Sequence, residues 1–330
     1  MTAVVEGLGT AVPGRVVTNA ELTAGLDTTD EWVRSRTGIA QRHFADASVA
    51  TSDLATEAGA EALKSAGVAA VDAVVLATMT PDRACPPTAP LVASALGLPP
   101  GLALDINAAC SGFVYGLAVA SGLIAGGIAE RVLLIGADVM SRVVDPTDRN
   151  TAVLFGDGAG AVVLRRGTAG EPGAIGPFDL GGDGELGDLL HIPAGGSRLP
   201  TDAATVADRS HFLRMEGKEV YRQAVAGMTA SCLRVLATAG LDIAAVDHLV
   251  AHQANARILS AVASRLGIEA ERCVCNVDRY GNTTAASIPL AMADADAAGA
   301  APGDLTLLTA FGAGLSWGSV LLRWPDLGRP

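Results

Sequence analysis

The sequence predicts an α/β protein assembled from two copies of one unit. Short apolar runs alternate with longer Ala-rich stretches of helical period, the pattern of a mostly buried sheet joined by crossover helices. Segments of the first half return in the same order in the second. The composition agrees: 330 residues, half of them hydrophobic and only 18% charged, with 39 glycines, can bury a core of two layers or more.

The strands are read at Ala73–Thr78, Ala103–Ile106, Val132–Ile135 and Ala159–Leu164, and helices at Ser52–Ala66 and Ser111–Ala129. The repeat rests on three matches. Ala66-Gly67-Val68 leading into Val71–Val75 returns as Ala239-Gly240-Leu241 leading into Val246–Val250. Val92–Leu98 returns at Val262–Ile268, and the strand at Val132 returns at Leu305. The offsets are 175, 170 and 173 residues, which divides the chain into halves at 1–166 and 167–330. Between the halves, Gly181–Gly217 is rich in Gly, Asp and Ser, as suits either a functional lid or an ordered, irregular crossover. Ile106–Ala129 is 24 residues without a charge, long enough for a bilayer, but it begins as a strand and carries Cys110, Ser111 and Ser121. A buried helix of a soluble α/β protein fits it better.

Charge and cysteine usage exclude several functions. With 23 basic against 35 acidic residues, the net charge of −12 suits neither a phosphate backbone nor an anionic membrane. The five cysteines are odd in number and irregularly spaced, so no disulfide framework is expected. Cys273-Val-Cys275 lacks a second ligand pair, so no metal is expected either. The N-terminus has no basic region before its apolar stretch, and the reducing cytoplasm is the expected location.

Four positions carry candidate chemistry. Cys110, in LDINAACSGF, follows a strand and opens a helix, where unsatisfied N–H groups favour an anion and lower a thiol pKa. His252 lies at the strand-to-helix junction read as the equivalent point of the second half. Asn282, in RYGNTTAASIP, enters another helix, and Phe311–Leu315 is a glycine turn able to present bare N–H groups. Each has an ordinary structural explanation: a buried Cys, a junction His, a helix N-cap, a turn. Together, a thiol, an imidazole, an amide and backbone donors suit acyl transfer through a thioester.

DINAACSGF, HQANARI, GNTTAASIPLA and FGDGAGAVVL, with DEWVRSRTGI near the start, resemble the β-ketoacyl-ACP synthase III family of the thiolase superfamily over nearly the whole chain. The resemblance implies a thiolase-like five-layered αβαβα fold and a homodimer. It implies a Cys110–His252–Asn282 triad, with an oxyanion hole from the backbone N–H groups of Cys110 and Ala313. The implied reaction loads an acyl group from acyl-CoA onto Cys110, then condenses it with the carbanion left by decarboxylation of malonyl-ACP. The substrates are acyl-CoA and the acyl carrier protein, with no cofactor. Trp32 and Arg149 match the pair that sandwiches adenine, and Arg36, Gly217 and Asn255 match further CoA or pantetheine contacts. Arg222 and Arg257 match carrier-docking positions, with Arg265 as an added neighbouring cation, whereas Ser264 stands where some relatives have Lys.

Cys85, Met140 and Phe155 match acyl-pocket positions. Cys85 replaces the Phe of some members in a segment that in family dimers reaches the neighbouring subunit, and the smaller thiol predicts a starter larger than acetyl. The principal alternative is a synthase-III-like acyltransferase that hands the acyl group from Cys110 to an alcohol, amine or other nucleophile.

Overall fold

The computed structural model describes residues 2–328. The first sheet holds β1 (Thr2–Ala11), β2 (Ala73–Ala77), β3 (Leu102–Ile106), β4 (Arg131–Asp138) and β5 (Gly158–Gly167) in the order β1-β5-β4-β2-β3. The second holds β6 (Ile175–Gly182), β7 (His248–Ala251), β8 (Leu305–Gly312) and β9 (Ser316–Arg323) in the order β6-β9-β8-β7. In both sheets the two outer pairings on the first-strand side are antiparallel and the next is parallel or leads to a parallel pair. The fifth place of the second sheet is taken by a single parallel bridge, Leu249 to Cys273. Two sheets of one strand order, built from segments about 175 residues apart, are one topology written twice.

Five layers result. The Thr51–Ala66 helix covers the outer face of the first sheet, and the Gly217–Ala239 and Ala256–Leu266 helices cover that of the second. Between the sheets lie the Gly112–Ala125 and Ser287–Ala297 helices. This sandwich explains the uncharged stretch after Ile106. A helix with a sheet on each side keeps little wet surface to carry charge, and Phe113, Val114, Leu117, Ala120 and Ile124 are all essentially inaccessible. Among the described residues no helix is long and apolar enough to cross a membrane.

Several elements differ from the sequence reading. The helix expected at Ser111–Ala129 runs only from Gly112 to Ala125, ended by Gly126 and by Gly127 with its positive φ of 69°. It is preceded by a separate 3₁₀ turn, Ala109–Ser111. β1 and the hairpin Arg15–Thr18/Gln41–Phe44 were not expected. His252 is not the counterpart of Cys110: it follows β7, which corresponds to β2, whereas the turn that corresponds to Cys110 is Thr284–Ala286. Both turns contain a non-glycine residue with positive φ, Ala109 at 45° and Thr284 at 49°. The segment between the halves is an ordered crossover, with the ribbon Leu190–His191/Arg214–Met215 and a short helix, Ala203–Ala207, capped by Asp202.

Candidate active site

β3 delivers the chain to a tight turn at Ala109, which places Cys110 at the mouth of the central helix and 6% exposed. The turn is tied across the halves: the Ser111 hydroxyl donates to the Ser316 carbonyl at 3.0 Å. Gly312, at the end of β8, packs directly against it. A β-carbon on Gly312 would lie 2.8 Å from the Cys110 nitrogen and 3.0 Å from that of Ser111, so only glycine admits this approach. Ala313 follows, half-buried, with its carbonyl accepting from the Ser316 hydroxyl at 3.0 Å.

His252 and Asn282 come from separate turns of the second half. The His252 N–H donates to the Thr309 carbonyl of β8 at 2.8 Å, and its Nδ1 lies 2.7 Å from the Ser287 hydroxyl. The neighbouring Thr284 backbone favours the protonated ring, against the stronger opposing effect of burial. Asn282 is held by its main chain: its N–H donates to the Leu154 carbonyl at 2.8 Å, and its carbonyl accepts from Gly156 at 3.0 Å. Its side-chain Oδ1 accepts from the Thr284 N–H at 2.9 Å, which fixes the amide with Nδ2 as its available donor.

Cys110, His252 and Asn282 open onto one cavity of about 80 Å³. Its walls are mainly apolar, from Leu154, Phe155, Leu190, Met228, Ile258 and Phe311, with Gly217 and Asn255 also at its edge. Burial dominates the electrostatics. It pushes the Cys110 thiol up to about 12, with the nearby Asp138 carboxylate adding to the effect. Burial and Asp138 thus act against the lowering expected of a thiol at a helix N-terminus. Burial also lowers His252 to about 4, so the resting pair is a neutral thiol and a neutral imidazole. Burial likewise raises the Asp138 carboxyl, against hydrogen bonds from Thr284, Met79, Thr78 and Thr80. Among the described residues no group of three or more His, Cys, Asp or Glu is arranged to hold a metal ion.

The remaining candidates are spread around this centre. The Arg149 guanidinium lies 5.4 Å from the Trp32 ring centroid and donates to the Asp27 carbonyl at 2.8 Å. A purine between them needs about 7 Å, at about 3.5 Å per face, so the pair is closed on itself. Arg36 is exposed one helical turn beyond Trp32. Gly217 begins the long helix, and Asn255 caps the next, its Oδ1 accepting from Ile258 at 2.9 Å. Arg222 is exposed, ion-paired with Glu219 at 2.5 Å, and Arg257 sits over the Tyr221 ring at 5.6 Å. Arg222, Lys218 and Arg265 line a groove between these two helices. Of the three acyl-pocket candidates only Phe155 lines this cavity. Met140 is buried in the core behind it, because the turn at Met140–Arg142 packs its side chain inward. Cys85 lies on the exposed Pro81–Pro87 loop and does not line the cavity.

Two family models match, both for 3-oxoacyl-[acyl-carrier-protein] synthase III: one over residues 104–184 and its C-terminal model over residues 236–324. The chain is 55% identical over 328 residues to β-ketoacyl-[acyl-carrier-protein] synthase III 3 of Streptomyces coelicolor, covering 98% of this chain and 97% of the relative. It belongs to the β-ketoacyl-ACP synthase III family. The crystal structure of the Pseudomonas aeruginosa PAO1 synthase III superposes with a TM-score of 0.93 at 51% identity over the whole of both chains. The priming β-ketosynthase of the R1128 polyketide pathway superposes at 0.90 with 35% identity, covering 99% and 97% of the two chains.

Sequence reasoning missed three residues that build this synthase III site: Asp138, Thr284 and Gly312. Asp138 had a signal, as the lone acid ending an otherwise apolar strand, IGAD. Thr284 had none, since a second Thr after Asn282 reads as part of a helix start. Gly312 lay within the glycine turn already singled out, but its contact with Cys110 exists only in three dimensions.

Proposed function

We propose that this synthase III condenses an acyl-CoA starter with malonyl-ACP through an acyl-Cys110 intermediate, giving 3-oxoacyl-ACP. The observation that carries this is the convergence of Cys110, His252 and Asn282, from three distant segments, on one apolar cavity. In the first half-reaction the Cys110 sulfur attacks the thioester carbonyl, its proton passes to neutral His252, and CoA leaves with that proton. In the second, the C–C bond to the malonyl carboxylate breaks, CO2 departs, and the electron pair forms a thioester enolate. Its oxygen is held by the Asn282 Nδ2 and by a His252 N–H. The carbanion attacks the acyl carbonyl, the oxyanion rests against the N–H groups of Cys110 and Ala313, and the Cys110 thiolate leaves. Every step is thioester substitution or decarboxylation, so no electron is transferred to or from a redox group. The apolar wall favours an aliphatic starter over a charged one.

Trp32, Arg36 and Arg149 would take the CoA end, with Gly217 and Asn255 along the pantetheine. Carrier docking at the groove of Lys218, Arg222 and Arg265 fits an acidic partner, although Glu219 offsets part of its charge. The exposed edge strand β3 and the Cys85 loop support a homodimer in which Cys85 faces the other subunit. Intact-protein mass spectrometry against a panel of acyl-CoAs, beside Cys110→Ala, tests the reading. A mass gain confined to Cys110, discharged by malonyl-ACP with release of 3-oxoacyl-ACP, is the expected result. Loading that malonyl-ACP cannot discharge would make the protein an acyltransferase to another nucleophile, and no loading would remove the acyl-CoA assignment.

A further inference from the structure

Asp138 ends β4 with its carboxyl wholly buried, and it gathers groups from both halves of the chain. Its Oδ1 accepts from the Met79 N–H at 2.8 Å, the Thr78 hydroxyl at 3.0 Å, and the hydroxyl and N–H of Thr80 at 3.1 and 3.2 Å. These four donors fix the carboxyl to the end of β2. Its Oδ2 faces the other half, close to the Thr284 hydroxyl and 3.4 Å from the Ala285 N–H.

Thr284 is the residue that this contact holds. Its φ is 49°, a conformation that a β-branched side chain adopts at a cost and keeps only when its surroundings impose it. In that conformation its N–H holds Oδ1 of Asn282 at 2.9 Å. One backbone unit therefore sets the rotamer of the amide that would face the enolate, while His252 is held by the Ser287 hydroxyl and the Thr309 carbonyl, and Cys110 by Ala109, Ser111 and Gly312.

We propose that Asp138 is a positioning residue for the decarboxylation half-reaction: through the Thr284 hydroxyl it locks the turn that orients Asn282. The hydrogen count indicates which form of the acid acts. The Thr284 hydroxyl lies 2.9 Å from the Thr283 carbonyl as well as beside Asp138, and it has one hydrogen for two acceptors. A protonated Asp138 resolves this, its O–H donating to Thr284 and the Thr284 O–H donating to Thr283. A neutral carboxyl also removes a negative charge from the neighbourhood of the Cys110 thiol, which has to become a thiolate.

The proposal rests on the acyl-Cys ketosynthase reading, so wild-type loading and CO2 release from malonyl-ACP are measured first; their absence defeats that reading and not this one. Thr284→Ala, Thr284→Ser and Asp138→Asn are then compared by loading of Cys110 and by kcat and KM of CO2 release. Thr284→Ala is expected to load Cys110 normally but to lose about 100-fold in kcat of CO2 release, the scale of a misplaced reacting group, with KM little changed. Thr284→Ser restores the rate. Asp138→Asn, whose amide donates as the neutral acid does, stays within about threefold of wild type. Equal losses in loading and CO2 release, no loss in either, or failure of Thr284→Ser to restore the rate would overturn the proposal. If Thr284→Ala does not fold, Asp138→Asn decides: a tenfold or greater selective loss of kcat refutes the neutral-acid lock.

Discussion

Replacing Gly312 with alanine tests whether the contact between β8 and the Cys110 turn is needed for chemistry. The new β-carbon would sit 2.8 Å from the Cys110 nitrogen, 3.0 Å from the Ser111 nitrogen and 3.2 Å from the Ala108 carbonyl oxygen. Ordinary contact begins at 3.4 Å, so the overlap is about 0.6 Å, and all three neighbours are main-chain atoms that cannot swing aside. Overpacking of this kind costs about 1–3 kcal/mol, which lowers the midpoint of thermal unfolding by a few degrees. The catalytic loss is expected to be larger than the loss of stability alone. Relief of the overlap moves β8 or the Cys110 N–H by several tenths of an ångström, and misplacement approaching 1 Å reduces rates by about 100-fold. The assay is kcat/KM for condensation and the rate of Cys110 acylation, on protein shown to be folded by its melting curve. Gly14→Ala is the control, since a β-carbon there meets nothing within 4 Å. Gly312→Ala with wild-type stability and both rates within about threefold of wild type would refute the claim that this approach is tight.

His252 also predicts a pH dependence of stability. Its folded pKa of about 4 lies below the ordinary 6.5, so the unfolded chain binds the extra proton between those values. Stability from this group is complete above 6.5 and is lost as pH falls towards 4, by up to about 3 kcal/mol. Denaturant titrations of wild type and His252→Gln should therefore converge on acidification, and parallel curves would contradict the burial. Because the Cys110 thiol sits at about 12, acylation should depend on His252 as proton acceptor. Wild-type loading is expected to be flat over roughly pH 6 to 8, and that of His252→Ala to climb about tenfold per pH unit; a steep wild-type profile would show a preformed thiolate instead. Trp32→Ala and Arg149→Ala should raise KM for acyl-CoA but leave loading from a short acyl-pantetheine thioester unchanged, which binding kinetics on both donors will decide. Arg265→Glu should raise KM for malonyl-ACP, less so at high salt, and a salt-independent or absent effect would move docking away from the groove.

The local signals in this chain were legible because they are physically local. Buried strands read as apolar runs, Cys110 stood out at a small-residue turn, and the repeat showed itself in offsets near 175 residues that match two sheets of one order. Family motifs marked Cys110, His252 and Asn282, and the fold brings all three to one cavity. Other features depended on packing. The Cys110 thiol was expected to be acidic from its helix end, yet its protonation is governed by burial between two sheets, which no local pattern reports. His252 was placed as the counterpart of Cys110, whereas strand order gives that position to Ala285. Asp138 meets Thr284 across 146 residues, and Gly312 meets Cys110 from the other half of the chain. Sequence alone thus singled out the candidate groups, through the family motifs, and the duplicated frame, through the spacing of its repeats. Only the tertiary structure decided protonation states and side-chain orientation, because these are set by desolvation and by contacts between segments far apart in the chain.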